Sequence, residues 1–192
     1  MTDDGRTRLA EVSRMLEVYQ TDPGAAADDD LRTLRKSARA AIDRLDDEPE
    51  FHRAHETLDA VGNFVRQVRP DLCLLTPDGE GYLQECPVDL GHLRVGFSVG
   101  VEILESHCSI CEQDPWECPH IPGESYGGRH ATRVVTRANF FEASLVKRPD
   151  FPDARIMSRP ISRADVEETL GAPLPAGAQL VCDRCLMPCA GI

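Results

Sequence analysis

A short cluster of cysteine and histidine constrains this chain more than any other feature of its sequence. A Cys-x-x-Cys turn is followed, after a loop of six residues, by a Cys-x-His pair. Three thiolates and one imidazole form a tetrahedral set that zinc prefers, and such a set leaves no open coordination position. We therefore expect a structural zinc ion, with Trp116 and Pro115 shielding the sulfurs. Its predicted ligands are Cys108, Cys111, Cys118 and His120.

A second cysteine cluster lies near the end of the chain, where another Cys-x-x-Cys turn is followed by one more cysteine. Three sulfurs need a fourth ligand, and we favour Cys86 because sulfur-rich sites select zinc. His92 and Cys73 are the alternatives. A redox dithiol is disfavoured, because no thioredoxin-like unit surrounds the turn. The local members of this second cluster are Cys182, Cys185 and Cys189.

Two zinc ions are thus expected. Coordination between the C-terminal turn and Cys86 would close residues 73–192 into one unit, so that metal-binding energy would become folding energy. The chain has eight cysteines, and its first twenty residues contain no apolar run. Free thiols that bind metal are typical of a reducing compartment, so we expect a cytoplasmic protein.

Three amphipathic stripes predict helices in the first part of the chain. Apolar residues recur at helical spacing over residues 6–20, 31–45 and 51–68, and Pro70 ends the last stripe. The stripes suggest a small antiparallel bundle or arm. We interpret His52 and His55, within the third stripe, as surface residues without a ligand partner.

After Pro70 the composition of the sequence changes, and glycine and proline become frequent. A short helix is expected between Ser162, which is a favoured residue for an N-cap, and Gly171, which is a favoured residue for the end of a helix. Together these patterns predict an α+β fold, with a helical segment over 1–70 and a zinc-binding β-rich domain over 71–192. Runs of β-forming residues occur at 72–75, 93–104, 132–136 and 140–146.

The charge of the chain limits its partners. The formal net charge is −12, which disfavours binding to phosphate-rich nucleic acids. A local row of Arg129, Arg133 and Arg137 keeps nucleic-acid binding as a weaker alternative. No stretch of the sequence approaches the length needed to cross a membrane, so we expect no membrane association.

Two motifs give the chain a likeness to a known family. Gly-Phe-Ser-Val-Gly at 96–100 is similar to a serine-bearing strand, and Phe-Phe-Glu-Ala-Ser-Leu-Val at 140–146 is followed by Pro149 and Ala154. With these motifs, residues 92–157 resemble the caudovirus prohead proteases, which process capsid-assembly proteins. The intervening cysteine cluster is similar to a zinc-knuckle insertion in some phage proteins of this type.

The resemblance implies a compact β-barrel-like core with flanking helices, Ser98 as nucleophile and Glu142 as its acidic partner. A nucleophilic serine needs a base, which is normally histidine. The family's histidine precedes the serine strand, where this chain offers only His92. In one extended strand, six residues span about 20 Å, which is too far for a hydrogen bond.

The leading functional prediction is therefore a zinc-stabilised, non-catalytic protein-interaction or assembly protein with a core like that of a prohead protease. Its N-terminal helices would contact a protein partner. Phage-derived assembly or a phage-defence system would be the natural setting, as the resemblance implies. The alternative is an active serine protease that processes an assembly partner.

Overall fold

The computed structural model describes residues 2–46 and 48–186, and these residues have the predicted α+β fold. The α-helices of this part of the chain are α1 (Thr2–Thr21), α2 (Asp28–Asp43), α3 (Phe51–Val68), α4 (Pro87–Leu93) and α5 (Arg163–Leu170). The strands are β1 (Thr76–Asp78), β2 (Gly81–Gln84), β3 (Gly96–Cys108), β4 (Ser125–Tyr126), β5 (Arg129–His130), β6 (Arg133–Val146) and β7 (Arg159–Ile161).

The chain divides into two compact units. The described residues up to Gly96 and from Val146 onward form the first, which we call the helical unit. The second is Phe97–Leu145, which we call the ribbon unit. The division predicted from composition falls after residue 70 instead. It differs because α4 packs on α2 and α3, which joins residues beyond 70 to the helices.

The core of the helical unit lies between α1, α2 and α3, whose apolar stripes follow the predicted spacing. Burial of such stripes is the main source of stability for helices of this length. Asp30 accepts a hydrogen bond from the Ala27 N–H at 3.0 Å, which satisfies one free donor at the start of α2. The largest fully buried side chains of these helices include Val12, Leu31, Leu34, Ile42, Leu58, Val61 and Val65.

Three arginines meet two aspartates beside this core. Asp43 of α2 accepts from Arg94 at 2.8 Å and lies 3.1 Å from Arg155, and both arginines also pair with Asp46. Arg39 lies 3.3 Å from the Asp43 carboxylate. These groups are buried or nearly so, and mutual pairing is what makes buried charge tolerable.

The segment predicted as a strand at 72–75 folds differently. Pro70–Cys73 forms a 3₁₀ helix, because Pro70 fixes its own φ angle in the first turn and has no N–H to donate. Only Leu74 makes a β-type pairing, an antiparallel bridge to Val181. The neighbouring Leu75 N–H donates to the Leu180 carbonyl at 2.8 Å, which holds the segment around Leu180 against the residues that follow the 3₁₀ helix.

Small sheets complete the fold. In the helical unit, β1, β2 and β7 form an antiparallel sheet in the order β1-β2-β7. In the ribbon unit, β3 pairs with β6, and β4 pairs with β5 in a short hairpin. The runs predicted at 132–136 and 140–146 are thus one continuous strand. The described residues do not form the barrel implied by the family resemblance, because their largest sheet has three strands.

None of the helices within the described ranges combines the length and the apolar character that a membrane span requires.

Candidate metal centres

The first predicted ligand set converges in the ribbon unit. One sulfur or ring-nitrogen atom from each residue lies within 4.8 Å of every other, as expected for four ligands of one ion. β3 ends at the first ligand, and the remaining ligands follow in the turn and loop before β4. The set is Cys108, Cys111, Cys118 and His120.

The turn after β3 favours the thiolate form of Cys108, the first predicted ligand. The Ile110 N–H points to the Cys108 sulfur at 3.4 Å, and the Glu112 N–H closes the turn on the Cys108 carbonyl at 2.9 Å. Hydrogen bonds from the Cys111 and Ile110 amides lower the pKa of the Cys108 thiol to about 6. Because a metal ligand must be a thiolate, this turn favours the binding form near neutral pH.

The histidine of this set is held by a ring contact that sequence analysis missed. The His120 and Tyr126 rings meet edge to face with centroids 4.7 Å apart, and the Tyr126 hydroxyl accepts the Ile121 N–H at 3.0 Å. His120 Nδ1 is buried without a hydrogen-bond partner among the described residues. An ion bound by this nitrogen would supply the missing interaction, so the residues fit a metal.

Trp116 does not cover the sulfurs as predicted. Its side chain is 84% exposed, and the Arg133 guanidinium lies over its ring at 5.6 Å from the centroid. The indole therefore makes a cation–π contact at the surface.

Four other cysteines lie near one another in the helical unit, although no three of their sulfurs lie within 4.8 Å of one another as the ligand atoms of the first set do. The Cys182 N–H donates to the Cys73 carbonyl at 2.8 Å, which brings the C-terminal turn next to the 3₁₀ helix. Cys86 precedes α4 and shares a hydrogen bond with Cys182 through their sulfurs. The sulfur of Cys185 lies over α3, where a Cβ atom on Gly62 would be only 2.6 Å away. Cys189, predicted as a member of this cluster, lies outside the described residues.

The charges of these sulfurs are coupled. The hydrogen bond from Cys182 lowers the pKa of the Cys86 thiol to about 6, while the same bond and burial raise the pKa of Cys182. Burial and the nearby Cys86 and Cys73 raise the pKa of Cys185 to about 12. A thiolate at Cys86 therefore favours the thiol form of its neighbours.

The two Cys-x-x-Cys turns have a common feature. The Arg184 N–H donates to the Cys182 sulfur, in the position that Ile110 occupies relative to Cys108. The structure also places Cys73, one of the alternatives for the fourth ligand, beside Cys86, whereas His92 lies in a different cluster.

That third cluster comprises His55 and Asp59 of α3 and His92 of α4. The interpretation of His55 as an unpartnered surface residue was wrong, because its Nε2 lies 3.0 Å from that of His92 and 3.4 Å from the Asp59 carboxylate. Burial lowers the pKa of His55. The spacing of His55 and Asp59, four residues apart within one helical stripe, was the available sequence signal.

The residues assigned to catalysis lie on the antiparallel β3–β6 pair, which we call the ribbon. A Cβ on Gly100 would meet the Glu142 side chain at 2.9 Å, so these residues share one face of the β3–β6 pair. Ser98, two residues before Gly100, lies on the same face. Among the described residues, no histidine forms a hydrogen bond with Ser98.

Comparisons with protein-family models, with curated proteins and with solved structures found no match to this chain.

Proposed function

We propose that this chain is a non-catalytic protein-interaction or assembly protein, with the ribbon as its contact surface and zinc in both cysteine clusters. The observation that carries the proposal is the apolar face of the ribbon. Along β3, alternate residues fall on one face, and each of them is at least 38% exposed. They are Phe97, Val99, Val101 and Ile103.

The paired strand extends this face. Because Glu142 shares the opposite face with Gly100, the alternate residues Phe141 and Leu145 lie on the face of Val99 and Val101. Phe141 and Leu145 are each 67% exposed. A contiguous apolar surface of this kind is typical of a protein–protein contact.

The ribbon also has the form of a binding element. A two-stranded sheet is only marginally stable in water, and it gains stability when a further layer or strand covers it. Both of its edges offer backbone groups for strand addition. The N-terminal helices, which we predicted to be the contact arm, use their apolar stripes to form the core, so a contact through them would use their polar faces. The ribbon is therefore the stronger candidate surface.

Zinc is the metal that suits both clusters. Three sulfurs and an imidazole, or four sulfurs, are ligand sets that select zinc and close its coordination sphere. The ion would be held in the ribbon unit by the Cys108 set. In the helical unit the ligands would be Cys73, Cys86, Cys182 and Cys185. Closed sites of this kind stabilise a fold and leave no position for substrate.

The likeness to prohead proteases supports an assembly role, in a phage-derived or phage-defence setting. A net charge of −12 supports a protein partner in preference to nucleic acid. The proposed partner thus presents an apolar strand or groove to the ribbon.

The contact surface is tested by placing a photo-crosslinking side chain at Phe141 or, as the control, at Ser144 on the other face of β6. Crosslinks from position 141 identify the partner, or a second copy of this chain, for purification. Phe141→Arg should then weaken binding by at least about 30-fold, as for a central contact residue, while Ser144→Arg should leave it within a few-fold. Equal crosslinking from both positions, or unchanged binding by Phe141→Arg, would contradict the proposal.

The metal assignment is tested by native mass spectrometry of the full chain. Each cluster should hold one zinc ion, so Cys108→Ser and Cys182→Ser should each remove a different ion. Cobalt substitution should produce thiolate-to-cobalt charge transfer in both clusters. A metal-free preparation with unchanged folding and heat resistance would refute the role of zinc.

The alternative function is a serine protease, and the shared face of Ser98 and Glu142 is the observation in its favour. It predicts covalent labelling of Ser98 by a serine-directed probe, lost in Ser98→Ala. Absence of labelling in the zinc-loaded protein would eliminate it.

A further inference from the structure

Three potential ligands meet where α3 and α4 pack together. His55 Nε2 and His92 Nε2 lie 3.0 Å apart. The Asp59 carboxylate is 2.9 Å from His92 Nε2 and 3.4 Å from His55 Nε2. These atoms come from two helices and belong to neither cysteine cluster.

The spacing of these atoms is that of ligands around one ion. Bonds of about 2.0–2.1 Å to nitrogen and oxygen, at tetrahedral angles, place ligand atoms about 3.3 Å apart. The separations given above are close to this value, with Asp59 Oδ1 facing His92 and Asp59 Oδ2 facing His55. Small adjustments of the side chains would therefore suffice to hold an ion.

The hydrogen bonding of His92 adds an independent argument. Its Nδ1 lies 2.6 Å from the Val88 carbonyl oxygen, which can only accept a hydrogen bond. Nδ1 therefore carries the proton, and in the neutral ring Nε2 presents a lone pair. That lone pair faces the Asp59 carboxylate, which is also an acceptor, so either a metal ion or a second ring proton must lie between them.

A bond from the second ring nitrogen to a backbone carbonyl is itself typical of a metal-binding histidine. Such a bond fixes the tautomer and the orientation of the ring, and it makes the ligand nitrogen more basic. His92 has this arrangement within α4, because Val88 lies one turn earlier. Its side chain is only 4% exposed, so the ring is held in place by its surroundings.

The packing of the two helices creates the cluster. A Cβ atom at Gly91 would lie 2.8 Å from the Leu58 side chain, so glycine permits the end of α4 to approach α3 closely. Leu58 lies directly before Asp59 in sequence. Gly91 likewise directly precedes His92, and its close approach brings the imidazole to the two ligands on α3.

We propose that His55, Asp59 and His92 bind one divalent transition-metal ion and leave coordination positions open. Two imidazoles and one carboxylate are a ligand set found in open, reactive metal sites, in contrast to closed sets rich in cysteine. The side chain of Asp59 is 29% exposed, so solvent or a small ligand can reach the ion from that side. The site is independent of the function proposed above.

The competing arrangement is a doubly protonated His92, which donates to Asp59 and His55 without a metal. It explains the same distances, but it predicts no metal affinity. The two arrangements therefore differ in a direct binding measurement.

Cobalt titration of the full chain separates them. The purified protein keeps its tightly held metal and is treated with a mild chelator that empties weaker nitrogen–oxygen sites. It is then titrated with Co²⁺. One equivalent should bind with d–d absorption and without thiolate charge transfer, and its spectrum should shift when azide occupies an open position.

Matched variants assign the site. Asp59→Asn and His55→Gln preserve side-chain shape and should weaken this Co²⁺ equivalent by at least about 100-fold. His52→Gln on the same helix should bind as the wild type does. Circular dichroism verifies folding, and Asp59→Asn alone suffices if the other variant unfolds. No Co²⁺ uptake, uptake equal in all variants, or thiolate charge transfer in this equivalent would overturn the proposal. Loss of the ions held by the cysteine clusters would not change Co²⁺ binding at this site.

Discussion

The two units of this molecule obtain their stability in different ways. The helical unit buries aliphatic side chains between its first three helices, with an arginine–aspartate cluster beside them. Among the described residues of the ribbon unit, the buried apolar side chains are Cys108 and Ala131. The ribbon unit thus has almost no hydrophobic core of its own.

In the ribbon unit, a bound metal ion would take the place of a hydrophobic core as the source of stability. A segment that buries little apolar surface cannot offset the loss of chain entropy, and small domains of this type often depend on metals. We therefore expect the ribbon unit to depend on its cysteine cluster and the helical unit to depend on side-chain packing.

Removal of metal from the ribbon unit should have the largest effect. Structural zinc contributes on the order of 10–16 kcal/mol of apparent binding free energy at neutral pH, and in such a unit this is folding energy. Cys108→Ser should unfold Phe97–Leu145 while α1–α3 stay folded, as measured by residue-resolved hydrogen exchange. Glu117→Gln, at an exposed position in the same loop, is the neighbouring control. Loss of protection in both units at once would show that they unfold together.

Acid should produce a similar loss. The folded pKa of Cys108 is about 6, below the ordinary thiol value of 9.0. Because folding lowers this pKa, ionised Cys108 contributes its full stabilisation to the folded state above pH 9. That contribution is lost as pH falls through about 6. Metal should be released over the same range because protons compete for its ligands. Zinc release followed by a colorimetric chelator should rise below pH 6, and a flat profile would contradict the prediction.

Disruption of the charge cluster should destabilise the helical unit strongly. Asp43→Ala removes the carboxylate that pairs with three arginines. A buried charge left without its partner lowers the free energy of unfolding by about 3–5 kcal/mol. Chemical denaturation monitored by helical circular dichroism measures the change. The exposed pair of Asp29 and Arg32 provides the control, and Asp29→Ala should change stability by less than about 0.5 kcal/mol.

The same substitution in each unit gives the most direct comparison. Leu58 is fully buried in α3, whereas Leu145 is 67% exposed on the ribbon. Leu58→Ala should lower the free energy of unfolding by about 3 kcal/mol, and Leu145→Ala by less than about 0.5 kcal/mol. Thermal unfolding of the isolated protein distinguishes the two. A large effect of Leu145→Ala would mean that the ribbon face is covered within a single chain.

The smallest effect is expected at the start of α5. Ser162 accepts the Asp165 N–H at 3.0 Å, and loss of such a cap costs about 1 kcal/mol. Ser162→Ala should therefore increase local hydrogen exchange in α5, and Ser162→Asp should restore protection. Equal exchange in all three proteins would show that this cap contributes nothing.

Local patterns in the sequence predicted a large part of this structure. The first three helices follow from apolar periodicity, and the convergence of Cys108 with His120 follows from ligand spacing within one short segment. The α5 cap was likewise visible, because Ser162 and Gly171 act within their own turns.

Features that depend on distant residues were not predictable in this way. The strand expected at 72–75 is replaced because Pro70 favours a tight turn and Leu74 pairs with Val181. The His55 cluster needs His92, which reaches it only through the packing of α4 on α3. The division into units likewise depends on which distant segments return to the helices.

The pairing of Cys73 with Cys182 has a consequence for the newly made chain. These residues are joined by a backbone hydrogen bond, although the whole ribbon unit lies between them in sequence. At ordinary rates of synthesis, the ribosome needs on the order of 10 s to make the intervening stretch. Throughout that interval Cys73 and Cys86 emerge without their later partners. A nascent chain therefore passes through a stage in which these early thiols are open to oxidation or to capture of the wrong ion.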